Sequence, residues 1–69
     1  MEKIRKRSRH RIEITKKIGV LVVKGFTNKE IAQKIGLSES TINKYILIML
    51  DDLNCANRVQ LAVKIATGE

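Results

Sequence analysis

Proline and tryptophan are absent from this 69-residue sequence, and Phe26 and Tyr45 are its only aromatic residues. A single cysteine, Cys55, excludes an internal disulfide framework, and with one histidine, His10, no metal-ligand spacing can be assembled. Cys55 reads as a small buried hydrophobe and His10 as one more polar residue among arginines. No apolar run approaches the roughly 18 residues that span a bilayer, and the charged N-terminus lacks the apolar segment of a signal peptide. The expectation is a soluble, intracellular (cytoplasmic) protein with no membrane contact. A chain of this length forms one domain, whose core is too small to enclose a substrate cavity. Its carboxylates are dispersed or placed at helix starts, and no glycine loop or nucleophile–base pair is evident. The reading is therefore not an enzyme, with no cofactor, no metal and no small-molecule substrate.

What the chain has in excess is positive charge, and that charge is localised. The formal balance is +7. Residues 1–24 hold nine Lys or Arg against two Glu, whereas residues 25–69 hold five of each sign. A basic, acid-poor block beside a neutral folded unit is the electrostatic footprint of a polyanion partner. The bland alternative is a solvated tail that maintains solubility. An amphipathic membrane helix is a weaker rival, because "IRKRSRHRI" has too few large apolar residues to anchor one. The expected organisation is a basic N-terminal arm, residues 1–11, and a folded unit, residues 12–69.

Within the folded unit the apolar spacing is helical. Ile14, Ile18, Leu21 and Val22 fall on one face. "IGVLVV" taken alone also fits a strand, being β-branched and containing Gly19. The length of the segment and the signals that follow select a helix ending at Gly25. Thr27 opens the next helix: "TNKE" places a hydroxyl at the N-cap and Glu30 at the third helical position, with Phe26 and Ile31 at the spacing of a hydrophobic staple. Ile31, Ala32 and Ile35 supply its buried face, Gly36 suits a left-handed C-cap, and Leu37 packs back over the last turn. Ser38 caps a longer helix with the stripe Ile42, Ile46, Met49 and Leu53. Asn57 and Gln60 then have the form of a fourth cap, before Leu61, Val63 and Ile65. The fold class is all-α: four helices joined by short turns.

A short helix, a glycine-containing turn and a longer helix describe a helix-turn-helix. The longer helix stands free to enter the major groove, and its outer face carries Ser40, Asn43, Lys44 and Leu47. Asn pairs with adenine, Lys with guanine, and Leu47 can lie against a thymine methyl. Equally, Leu47 and Ile48 fit a core or partner contact. Thr27, Lys29, Ser38 and Thr41, with the free amides of both helix starts, suit phosphate oxygens. Arg5, Arg7, Arg9 and Arg11 suit the DNA backbone or a narrow minor groove. Tyr45 reads as a core-rim residue.

The phrase "GFTNKEIAQKIGLSESTINKYI", with Asn57-Arg58 beginning twelve residues after Tyr45, resembles the LuxR/GerE-type helix-turn-helix of bacterial transcription regulators. Gly25, Thr27 to Ala32, Leu37, Ser38, Thr41, Asn57 and Arg58 match that family's phrase, with Ile35 and Ile42 as conservative equivalents. The resemblance covers roughly residues 12–66 and, within it, points to the stand-alone GerE type. It implies a four-helix domain whose third helix reads DNA through Asn43, Lys44 and Leu47, with Thr27, Lys29 and Thr41 on the backbone. It also implies pairing of the fourth helix with a second copy, through Arg58, Val59, Ala62, Val63 and Ala66. Four places depart from the pattern: Ile14 and Thr15 replace an Arg-Glu pair, Asn43 a Lys, Tyr45 a His and Asp52 a Lys. The first removes an ionic tie to Arg58, and the second predicts a different base preference.

The leading reading is a sequence-specific regulator that binds double-stranded DNA as a homodimer. A second is a protein-interaction module, since the same motif also resembles region 4 of sigma factors; it would bind RNA polymerase or another regulator. A third is nonspecific DNA coating through the basic arm alone.

Overall fold

The structure is a computed structural model. It describes the backbone of residues 2–68 and the side chains of residues 12–68. Four helices make up the described residues: α1 (Glu2–Val23), α2 (Asn28–Ile35), α3 (Glu39–Asp52) and α4 (Arg58–Thr67). The last three begin where their caps predict. The Thr27 amide donates to Glu30 Oε1 at 2.9 Å, and the Glu30 amide donates to Thr27 Oγ1 at 3.2 Å, a complete capping box. Ser38 Oγ accepts from the Thr41 amide at 3.1 Å, and Asn57 Oδ1 accepts from the Gln60 amide at 2.9 Å. Gln60 reaches back as expected, but its Oε1 accepts from the Ala56 amide rather than from the cap residue itself.

The turns close by left-handed residues. Gly36, at φ 87°, lets its own amide and that of Leu37 both donate to the Ala32 carbonyl. At the end of α3 the same conformation falls on Asn54, φ 56°, a residue type that tolerates it. The Lys64 ammonium then donates to the Leu53 carbonyl at 2.9 Å, so a side chain of α4 satisfies an end of α3.

Helix α1 differs from expectation in where it begins. It runs back to Glu2 rather than starting near Ile14. Residues 2–18 contain neither Gly nor Pro and are rich in Lys and Arg, good helix formers, so nothing stops the backbone from continuing. The strand-like stretch around Gly19 is helical too. Gly19 is buried, and a Cβ there would stand 3.2 Å from Ile65 Cδ1. The glycine therefore lets α4 approach α1 closely, which outweighs its poor helix propensity.

Each helix contributes one side chain with no exposed surface: Ile18, Ile31, Ile42 and Leu61. Val22, Ala32, Ile46 and Met49 complete the buried cluster, with Phe26, Leu37, Tyr45 and Leu53 packed at its edge. Cys55 is half-buried at that edge rather than fully enclosed, its thiol donating to the Leu53 carbonyl at 3.6 Å.

Arg58 ties the start of α4 to the start of α2. Its Nη1 donates to Asn28 Oδ1 and its Nη2 donates to the Phe26 carbonyl at 2.7 Å. All three residues are half-buried. These contacts occupy the guanidinium in a chain that has Ile14 and Thr15 where an ion-pair partner was missed. Removing the donors leaves two half-buried acceptors unpaired. Arg58→Ala is expected to lose about 1.5–3 kcal/mol in urea unfolding with an unchanged m-value. A loss below about 0.5 kcal/mol would show that the tie is dispensable.

Candidate nucleic-acid interface

Helix α2, the three-residue turn Gly36 to Ser38 and helix α3 form the helix-turn-helix. Buried Ala32 is the small residue on α2 within the shared core, whose α3 members are Ile42, Ile46 and Met49. At 3.6 residues per turn, Ser40, Asn43, Lys44 and Leu47 fall away from that stripe, centred roughly 140° round α3 from it. All four are exposed, Leu47 by 55%. The structure thus brings the four residues expected to read bases onto one free face. Three heteroatom-bearing side chains and one apolar one suit the mixed chemistry of base edges.

The residues expected on the DNA backbone have more varied roles. Lys29 is exposed on α2. Thr27 and Ser38 are exposed, but their oxygens are engaged as caps. Thr41 is half-buried; its Oγ1 accepts from the Ser38 hydroxyl at 2.8 Å and keeps its own proton for an outside acceptor. Both caps leave further amides at the two helix starts, where the helix dipole favours an anion. Arg5, Arg7, Arg9, Arg11 and His10 lie outside the residues whose side chains are described.

On α4, Val59 is 73% exposed and Val63 57%, and Ala66 follows one turn later. They form an apolar ridge at i, i+4 and i+7. Ala62 is half-buried beside it and Arg58 turns inward to α2. Ile65 faces the other way, onto Gly19. No helix among the described residues is long and apolar enough to cross a membrane.

These features define a helix-turn-helix DNA-binding domain. The model of the family described as "GerE: Bacterial regulatory proteins, luxR family" matches residues 16–65, and the chain belongs to that family. It is accordingly a DNA-binding regulator of transcription; the family is one of regulators, not of enzymes. The matched region takes in the second half of α1 and nearly all of α4, and leaves the most basic segment outside it. Comparison with curated proteins and with solved structures gives no match.

Sequence reasoning missed the Arg58–Asn28 contact, whose partners are thirty positions apart; only uncharged Ile14 and Thr15, in place of an Arg-Glu pair, hinted that Arg58 must bond elsewhere. Because the α3 face is exposed, Asn43→Ala and Leu47→Ala should each unfold within about 0.5 kcal/mol of the parent chain. Larger losses in thermal or urea melts would mean that these side chains support the fold instead.

Proposed function

We propose that the chain is a sequence-specific bacterial transcription regulator, cytoplasmic, that reads the major groove with α3 as a homodimer joined through α4. The observation that carries this reading is the exposed stripe Ser40, Asn43, Lys44 and Leu47 on the helix that follows the turn. Asn43 and Lys44 supply hydrogen bonds to base edges and Leu47 an apolar contact. Lys29, Thr41 and the capped starts of α2 and α3 meet phosphates and fix the register. The basic segment, residues 1–11, adds phosphate contacts through Arg5, Arg7, Arg9 and Arg11, now from a helical backbone.

The ridge Val59, Val63 and Ala66, with Ala62 beside it, is an apolar surface on a small basic domain, and an isologous pair of such ridges would cover it. Arg58 acts within the chain, holding the ridge-bearing helix to the start of α2. A two-fold dimer sets two recognition helices about one turn of DNA apart, roughly 34 Å. The second reading, a module that binds RNA polymerase or another regulator, is favoured by exposed Ile48, which lies beside the base-reading stripe.

Selection from a random duplex pool at about 0.15 M salt should enrich one motif with two-fold symmetry. Asn43→Ala should relax that motif, whereas Arg7→Ala should weaken all duplexes alike and reduce the log–log salt slope by about 0.9. No enrichment, or identical behaviour of the two variants, would contradict the division between base and backbone contacts. Separately, Val63→Glu should convert a dimer to a monomer in sedimentation while the helical content stays constant. An unchanged mass would reject the α4 interface.

A further inference from the structure

Beside the base-reading stripe, α3 carries a second one. Thr41, Tyr45, Ile48 and Asp52 recur at i, i+4, i+7 and i+11 and face α1 across an open groove of about 570 Å³. Its lining is mainly apolar, with Ile48, Tyr45 and, from α1, Ile12. Ile12 is 52% exposed and Ile48 53%, so neither is spent on the core. Thr15, Lys16 and Lys44 also line it, and Asp52 lies at the far end of the α3 side, eight residues or roughly 12 Å from Lys44.

Ile12 and Ile48 lie off the proposed base-reading stripe and offer phosphate no hydrogen bond, so the DNA contacts proposed above leave this surface uncovered. The volume falls within the roughly 300–1,000 Å³ of ligand clefts. Its polar groups are spread along two helices, Thr15 and Lys16 on α1 and Thr41, Lys44 and Asp52 over roughly 16 Å of α3, which suits an extended or helical segment more than a compact molecule. The charge around it has one dominant sign. Besides Lys16 and Lys44, the sequence leading into Ile12 holds six Lys or Arg between residues 3 and 11. Only Asp52 opposes them among the groove residues, which gives the groove a direction.

We propose that the α1–α3 groove docks an acidic amphipathic segment of a partner protein, with a large apolar side chain between Ile12 and Ile48 and carboxylates at Lys16 and Lys44. This is helix-in-groove recognition with electrostatic complementarity at the two lysines. The inference builds on the DNA-reading role of α3, because Thr41 and Lys44 belong both to the groove and to the proposed DNA face. A segment seated there occupies part of the DNA surface and adds negative charge next to the rest. Partner and DNA therefore exclude one another, and the partner acts as an antagonist of the regulator.

The test begins with the full chain as bait for a displayed library of random peptides about twelve residues long, some three helical turns. Enriched peptides should combine Asp or Glu with one or two large apolar residues. A synthetic peptide of the enriched sequence is then titrated without DNA. Ile12→Ser and Ile48→Ser should each weaken it at least about tenfold, the loss of a buried anchor, while circular dichroism stays unchanged. The same variants should keep DNA affinity within about twofold, and the peptide should displace a bound duplex from the parent chain. Because the titration contains no DNA, it reads the groove whether or not α3 recognises sequence. Enrichment of acidic peptides without apolar residues, or binding unaffected by Ile48→Ser, would reduce the effect to charge and overturn the proposal. No enrichment, with Ile48→Ser instead dissociating copies of the chain, would assign the groove to a second copy. No enrichment without that dissociation would overturn it as well.

Discussion

Four side chains with no solvent exposure, one from each helix, hold this domain together: Ile18, Ile31, Ile42 and Leu61. Each helix is too short or too polar to persist alone, so its helical state depends on burying that one residue and its immediate neighbours. Removing any of the four would cost one helix its anchor and the other three a wall of their core. The caps at Thr27, Ser38 and Asn57 and the tie from Arg58 act around this centre. They set where helices start and how α2 meets α4, at about a kilocalorie per mole for a typical cap.

So economical a core has a consequence for function. One fully enclosed residue per helix, with at most two more buried beside it, leaves most of the surface of every helix outside the core. On α3 the buried stripe occupies one side, which leaves exposed the stripe of Ser40, Asn43, Lys44 and Leu47 and a flanking one that faces α1. On α4 the buried side holds Leu61 and Ile65 faces Gly19, which frees Val59 and Val63. A single short helix can thus serve the core and two external surfaces at once. The close meeting of α1 and α4 at Gly19, and the Arg58 bonds to the start of α2, tie the helix that carries Val59 and Val63 to the helix-turn-helix.

Most of this architecture was legible in residue order because its decisive signals are local. A capping box, a glycine followed by leucine, and apolar residues three and four apart each involve neighbours within one or two turns. They located α2, α3 and α4 and the exposed face of α3. The signals were poorer wherever the deciding partner lay far along the chain. The segment around Gly19 reads as helix only from its length and the signals that follow, and the reason for the glycine, its contact with Ile65, lies far along the chain. Arg58 had no visible partner because Asn28 and the Phe26 carbonyl lie about thirty residues away. The beginning of α1 is hidden for another reason: its first turns carry helix-forming residues with no apolar face, so periodicity is silent there. Cys55 was read as core from its type alone, whereas the turn after α3 holds it at the edge. The groove between α1 and α3 was invisible, since it depends on Ile12 and Ile48 meeting across two helices. Ile48 had shown only as an apolar residue more than one core stripe required.

That α3 is the element that meets DNA is the central claim, and a nuclear magnetic resonance titration with a bound duplex tests it most directly. Backbone amides and side-chain groups of Ser40, Asn43, Lys44 and Leu47 should shift most, followed by those at the starts of α2 and α3, with the core of Ile18, Ile31, Ile42 and Leu61 nearly still. Shifts confined to the basic first half of α1, or centred on Ile12 and Ile48 with the outer face of α3 unchanged, would contradict it.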